Sequence, residues 1–449
     1  SLIRLFIYQA RDGRGDWLMD ASNIESFGAV AVESANAMPA PTWHRLHVNS
    51  EKVALPEGLE ISSDIEFEIN GIELGELDAF NSALSAFQQK LDARNEGNVD
   101  TRAVAIAAVG DASPENLDIP ALSSYQRKAV LEELENNVSS SFETGMGGEA
   151  YAYLESVSDG HLVLAASENA ISSATVRISA KNRVANAACV DVIAAPHSKV
   201  SLTISYEGIS SGSGFTGCGL RVFAGVGSEV KVDSIQALNG CWTVFDDSGY
   251  VLDDNAHVIV THRVLGADSA STGLSADLRG DQSRIDVATR YLGIGHQERD
   301  FNYSIKQRGR STESNLDANG ILSGESKKTL RGTIDFVHGC KGSTGNERET
   351  VLLADKNVVN KTVPVILCDE DDVMGNHGAT IGHVRPEQHF YLSCRGLSDK
   401  AIESLFAVAA LEEAHMAFED ERIKNGIAQL ASTQGIDAEN FDDPKGECD

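Results

Sequence analysis

No stretch of the 449-residue sequence approaches the roughly 18 to 20 uninterrupted apolar residues that a bilayer span requires. The run "LIRLFIY" near the start is short, carries Arg4 and passes straight into polar sequence, so it reads as neither membrane anchor nor secretory signal. An excess of positive charge is equally absent. Lys and Arg number 37 against 67 Asp and Glu, a formal net charge of -30. That balance argues against a nucleic-acid-binding surface, whose affinity comes mostly from Lys and Arg, and suits solubility or protein partners. Paired cysteines are missing too: Cys189, Cys218, Cys241, Cys340, Cys368, Cys394 and Cys448 lie far apart, with no CxxC. This argues against a secreted disulfide framework and a self-contained zinc or ferredoxin-type site, and points to a reducing cytoplasm. "GSGFTGCGL" has glycines like a phosphate loop but lacks the Gly-Lys-Ser/Thr ending, so no nucleotide is expected on this chain.

What is present is a soluble, globular composition, 42% hydrophobic and 23% charged, in a chain too long for one ordinary core. Three textures succeed one another. From about Leu74 to Glu135 the pattern is mostly helical, and Leu77, Phe80, Leu84, Phe87 and Leu91 recur three or four apart on one face. From about Tyr153 to Cys368 short runs rich in Val, Ile and Thr, such as "KVSLTISYEG" and "HVIVTHRVLG", alternate with polar or glycine-containing turns. Such strands leave a sandwich, a barrel or a solenoid open. Ala, Ser and Gly punctuate them as at the tight corners of a parallel β-helix, which stands beside a double sandwich as the alternative. After Gly382 helices return: Pro386 opens a short one that Gly396 closes, and Ser398 caps a longer one running to about Ile423. The tail from 432 to 449 is acidic and poor in apolar residues, a disordered composition.

The segment "DDVMGNHGATIG", 371–382, follows the strand-like "TVPVILC" and precedes "FYLSCRGLS". This block, with "DFVHGCKGSTGNERETVLL" and "YLGIGHQERD" upstream and "MPAPTWHRLHVN" near the start, resembles the SufB/SufD family of iron–sulfur cluster assembly proteins, in particular its SufD-like members. The resemblance covers roughly Met38 to Leu430 and implies a right-handed parallel β-helix between two helical regions. The expected organisation is an unassigned extension (1–37), a mostly helical region (38–150), the β-helix (151–382), a C-terminal helical region (383–431) and the tail (432–449).

The resemblance further implies a non-catalytic scaffold that pairs with a SufB-like chain through its β-helix. A SufC-like ABC ATPase docks on the C-terminal helices, where Phe390, Tyr391, Arg395, Leu405 and Phe406 are the expected contacts. A homodimer of the isolated chain stays open. The family's SufD motif Cys-Ser-His-Gly-Ala-Thr reads Gly375-Asn376-His377-Gly378-Ala379-Thr380 here: the histidine is retained and the cysteine is gone. His377 is thus the candidate ligand for iron or a transient cluster shared with the partner. The upstream cysteine of SufB-like chains is absent from "DKNVVNKTVP". One imidazole suits a transfer site better than four permanent thiolates. The bland reading makes the glycines an end turn of the solenoid and His377 an interface residue.

Cys368, nine residues before His377, is a second candidate ligand on a neighbouring rung, although a cysteine in "VPVILC" also suits a core. Cys340, beside His338, is a candidate reactive thiol, and His383 and His389 read as surface residues. Two other functions remain: a carbohydrate-active β-helix enzyme, for which no paired-carboxylate spacing is visible, and a structural adaptor that never touches iron.

Overall fold

The computed structural model describes residues 31–39, 48–95, 137–138, 142–208 and 212–434. The chain before 31, the helical texture expected between 96 and 136, and the tail beyond 434 lie outside the described residues. Five short strands come first: β1 (Ala31–Ala35), β2 (Glu51–Ala54), β3 (Glu60–Ile61), β4 (Ile65–Asn70) and β5 (Glu73–Gly75). Helices α1 (Leu77–Asn95) and α2 (Gly148–Val157) follow.

Sixteen strands then alternate between two sheets. The first sheet holds β6 (Ser158–Ala166), β8 (Val184–Ala194), β10 (Ser213–Ala224), β12 (Cys241–Leu252), β14 (Ser269–Leu278), β16 (Glu298–Gln307), β18 (Lys327–Phe336) and β20 (Val359–Cys368). The second holds β7 (Ile171–Ala180), β9 (Lys199–Gly208), β11 (Glu229–Gln236), β13 (His257–Val264), β15 (Arg284–Gly293), β17 (Glu313–Leu322), β19 (Ser343–Leu353) and β21 (Val373–His383). Each strand pairs in parallel with the strand two further on, as in the β10–β12 and β11–β13 ladders. Successive pairs therefore stack as about eight turns of a parallel β-solenoid, which settles the choice against the sandwich.

The period-2 pattern of each strand sets its faces. In β13, Val258, Val260, His262 and Val264 are buried and the residues between them half-buried. At the corner between the sheets one residue per turn takes a left-handed backbone: Asn169, His197, Gly227, Asn255, Gln282, Ser311 and Gly342, with φ from 54 to 75. Most side chains make this conformation costly, yet here the corner N–H groups form a ladder. His197 donates to Val226, Gly227 to Asp254, Asn255 to Asp281 and Gln282 to Arg310.

Helices cover the outer faces. Phe80, Leu84 and Phe87 of α1 are buried against Phe223 and Val251, as their spacing predicts. Helix α2 explains two of the glycines of "GSGFTGCGL", Gly217 and Gly219 in β10. A Cβ on Gly217 would come within 2.4 Å of Leu154, and one on Gly219 within 2.8 Å of Tyr151. Those glycines make room for a helix. The region expected to be mostly helical opens instead with β2–β5. Strands β4 and β5 pair antiparallel with β7 and β6 and close the N-terminal end of the solenoid.

Three helices follow β21: α3 (Pro386–Cys394), α4 (Asp399–Met416) and α5 (Glu421–Thr433). Pro386 starts α3, and Gly396 at φ 91 lies just beyond it, as expected. The single long helix predicted from Ser398 to Ile423 is instead broken between α4 and α5. Asp420 caps α5 by accepting from the Arg422 N–H at 2.8 Å, while its other oxygen accepts from Arg177 at 2.5 Å. Leu411, Ile423, Ile427 and Leu430 of α4 and α5 pack on Ile235, Leu265 and Leu292 of the solenoid.

Candidate functional site

The last turn of the solenoid, β20 with β21, differs from all the others. Each of its strands pairs on one side only, β20 with β18 and β21 with β19, so among the described residues both sheets end in an open edge. Its apolar side chains stay in contact with water: Ile366 is 41% exposed, Met374 60% and Ile381 52%. Parallel edges with apolar side chains are normally covered. The outer face of β20 does find partners, Val363 and Val365 packing with Met38 and Val48 of the N-terminal segment.

His377 lies in this last turn, in register with Glu347 of β19. Its Nδ1 is 3.5 Å from Glu347 Oε2; the imidazole is 28% exposed and the Glu347 side chain 1%. Among the described residues neither carboxylate oxygen of Glu347 has a hydrogen-bond partner. Burial, then the negative charge of Glu349, pushes the Glu347 carboxyl up to about 8, against the pull of Lys328. Space for this group comes from Gly332, where a Cβ would meet Glu347 Oε1 at 2.4 Å.

Beside it lies a dry ion pair, Lys328 with Glu349, both side chains fully buried. Lys328 also donates to Thr362 Oγ1 at 3.1 Å, and Thr362 donates to Glu349 Oε2 at 2.6 Å. Burial holds the Lys328 ammonium below its ordinary range in spite of Glu349. Glu347, Glu349 and Lys328 went unnoticed in the sequence. The signal was there: in "STGNERETVLL" the two glutamates occupy alternate positions, the inward ones of a strand.

Cys368 is exposed, shares the terminal turn with His377 and stacks in register on Phe336; its thiol donates to the Glu370 carbonyl at 3.2 Å. Among the described residues no group of three or more His, Cys, Asp or Glu side chains converges on a metal position. Cys340 is not a reactive thiol. It is buried against Ile334 and Phe336, and burial lifts its thiol to about 11. His383 is exposed, its Nδ1 3.1 Å from the Leu353 carbonyl, and His389 is half-buried.

The expected ATPase contacts lie on α3 and α4. Phe390 is 71% exposed, Tyr391 and Leu405 are exposed, and Phe406 is half-buried. Arg395 stacks on the Tyr391 ring and donates to its hydroxyl at 3.2 Å. No helix among the described residues is long and apolar enough to cross a membrane.

Comparison with known proteins agrees with this fold. A family model described as SUF system FeS cluster assembly, SufBD core domain, matches residues 176–410. The chain is similar to the iron-sulfur cluster assembly protein SufD of Bacillus subtilis (strain 168), 28% identical over 131 residues, which is 29% of this chain and 30% of that protein. It is similar to SufD of Escherichia coli (strain K12), 23% identical over 183 residues, 41% of this chain and 43% of that protein. It also resembles the chloroplastic SufBD family protein ABCI8 of Arabidopsis thaliana, 22% identical over 198 residues, 42% of this chain and 35% of that one. The chain thus spans less than half the length of these relatives. With its parallel solenoid and matching core, the chain belongs to the SufBD family of the SUF iron–sulfur cluster assembly system, as a SufD-like member.

Proposed function

We propose that this chain is the SufD-like scaffold of a SufBCD-type complex, without catalysis of its own, and that it works in the cytoplasm. The observation that carries the reading is the open last turn, which offers two unpaired strand edges and exposed apolar residues beside His377. A SufB-like chain with a similar end covers that edge by pairing strands and burying Ile366, Met374 and Ile381. In the absence of that partner a second copy of this chain takes the place. His377 then lies at the joint and contributes one nitrogen donor to iron or a nascent cluster, the partner supplying the rest. A SufC-like ATPase docks on Phe390, Tyr391, Arg395, Leu405 and Phe406. ATP belongs to that partner.

The test is reconstitution of the three-protein complex under anaerobic conditions. His377→Ala is expected to leave the complex assembled while lowering the iron it retains and the clusters it transfers. Wild-type iron retention and transfer by the assembled variant complex refute the ligand role and leave an adaptor. Phe390→Glu with Leu405→Glu is expected to abolish ATPase binding with the solenoid folded, and undiminished binding refutes the docking surface.

A further inference from the structure

The inward column of the second sheet that ends at His377 is aliphatic for six turns. Its members, aligned in register, are Ala174, Leu202, Val232, Val260, Val287 and Leu316, all buried. The next two positions are Glu347 and His377. A carboxylate continuing such a column sacrifices apolar packing, and this one has no hydrogen bond among the described residues. Its side chain is 1% exposed, with Oε1 lodged over the backbone of Gly332 and Oε2 turned toward His377 Nδ1 at 3.5 Å. Closing that gap to an ordinary hydrogen bond of about 2.9 Å takes roughly half an ångström of motion.

We propose that Glu347 is the positioning residue of His377: it takes a hydrogen bond from Nδ1–H and thereby leaves Nε2 as the nitrogen offered to a cation at the open edge. The two ring nitrogens are distinct, and the bond made by one decides which of them carries the lone pair. A buried carboxylate behind a histidine ligand is a recurrent way of fixing tautomer and ring orientation. Gly332 belongs to the same arrangement, because any side chain there displaces the carboxylate. The role of Nε2 rests on the reading of His377 as a ligand. The Nδ1–Glu347 bond does not.

The experiment separates the two. The full chain, labelled with 15N in histidine only, is observed by NMR at alkaline pH, where an imidazole is neutral and carries a single ring proton. The His377 signals are assigned by their loss in His377→Gln. Wild type is expected to carry the proton on Nδ1. Glu347→Gln, which keeps an acceptor oxygen, retains that form, and Glu347→Leu reverts to the Nε2–H form that free imidazole favours. Glu347→Leu continues the aliphatic column, so it is expected to fold with an unfolding midpoint at or above wild type, and a merely structural role leaves the tautomer unmoved. In the assembled complex, titration with Co2+ as the probe is expected to show Glu347→Leu weakened about 10- to 100-fold and Glu347→Gln near wild type. A proton on Nε2 in wild type, or the same tautomer in Glu347→Leu, overturns the proposal. A normal tautomer switch with unchanged Co2+ affinity keeps the Nδ1 bond and overturns the ligand reading of His377.

Discussion

Breaking the Lys328–Glu349 pair gives opposite pH trends depending on which partner is removed. Both side chains are fully buried; Thr362 bonds to both, the Tyr291 hydroxyl donates to Glu349 Oε1 at 3.5 Å with its ring 5.9 Å from the ammonium, and the Glu347 carboxyl lies close by. Lys328→Met strands a carboxylate, whose escape is to take up a proton. At pH 7, against an ordinary value of about 4.3, that costs about 1.36 × 2.7, or roughly 4 kcal/mol, and each unit of acidification lowers the cost by about 1.4 kcal/mol. Glu349→Gln strands an ammonium, whose escape is to lose a proton. From an ordinary value of about 10.4 that costs about 1.36 × 3.4, or roughly 5 kcal/mol at pH 7, and the cost falls as pH rises. Both figures agree with the roughly 3 to 5 kcal/mol lost when half of a buried pair is removed. The double variant Lys328→Met/Glu349→Leu leaves no buried charge at this pair and is expected to recover most of the loss. Denaturant unfolding followed by tryptophan fluorescence at pH 5.5, 7 and 8.5 measures all three. Losses below about 1 kcal/mol, or identical pH trends in the two single variants, refute the premise that this pair is dry.

Two further outcomes are expected. Asp247 is fully buried and accepts from the Met146 N–H at 2.7 Å; burial above all pushes its carboxyl up to about 7, against the Thr144 hydroxyl and that N–H. Its folded value is raised, so its contribution to stability is complete below about pH 4 and is lost as pH rises through 7; Asp247→Asn is expected to gain about 2 to 4 kcal/mol on wild type between pH 5 and pH 8, and a pH-independent difference between the two denaturation curves excludes this. Gly332→Ala places a Cβ 2.4 Å from Glu347 Oε1, so a crowding cost of about 1 to 3 kcal/mol outweighs the roughly 0.5 to 1 kcal/mol that alanine gains over glycine in a strand, and the loss is expected to vanish in a Glu347→Ala background.

Much of the architecture was legible because it is local. The period-2 runs marked the strands, and the spacing of Phe80, Leu84 and Phe87 marked a buried helix face. The solenoid was not legible from spacing, since a strand of about ten residues followed by a turn suits a sandwich as well; pairing between residues about 30 positions apart, such as Asp191 with Arg221, makes the difference. The break at Asp420 escaped for a related reason. A helix pattern runs through it, and the Asp420 carboxylate that caps α5 is also held by Arg177, 243 positions away in sequence. Of the candidate site, His377 stands out in the sequence through its motif. Glu347 does not, because a glutamate in a charged run reads as surface until the strand's inward face is known.

The one-sided pairing of the last turn also governs how the molecule breathes. In a stack where each turn touches only its neighbours, stability is a sum of nearest-neighbour terms, and an interior turn owns two interfaces where the terminal turn owns one. Fraying therefore begins at β20 and β21 and moves inward, so their amide protons exchange ahead of those in β12 or β13. Any chain that adds strands to this edge supplies the missing interface and turns the end of the stack into its middle. In the proposed complex the segment carrying His377 is then most ordered only when the assembly is complete, so that the order of that side chain reports whether the partner has arrived.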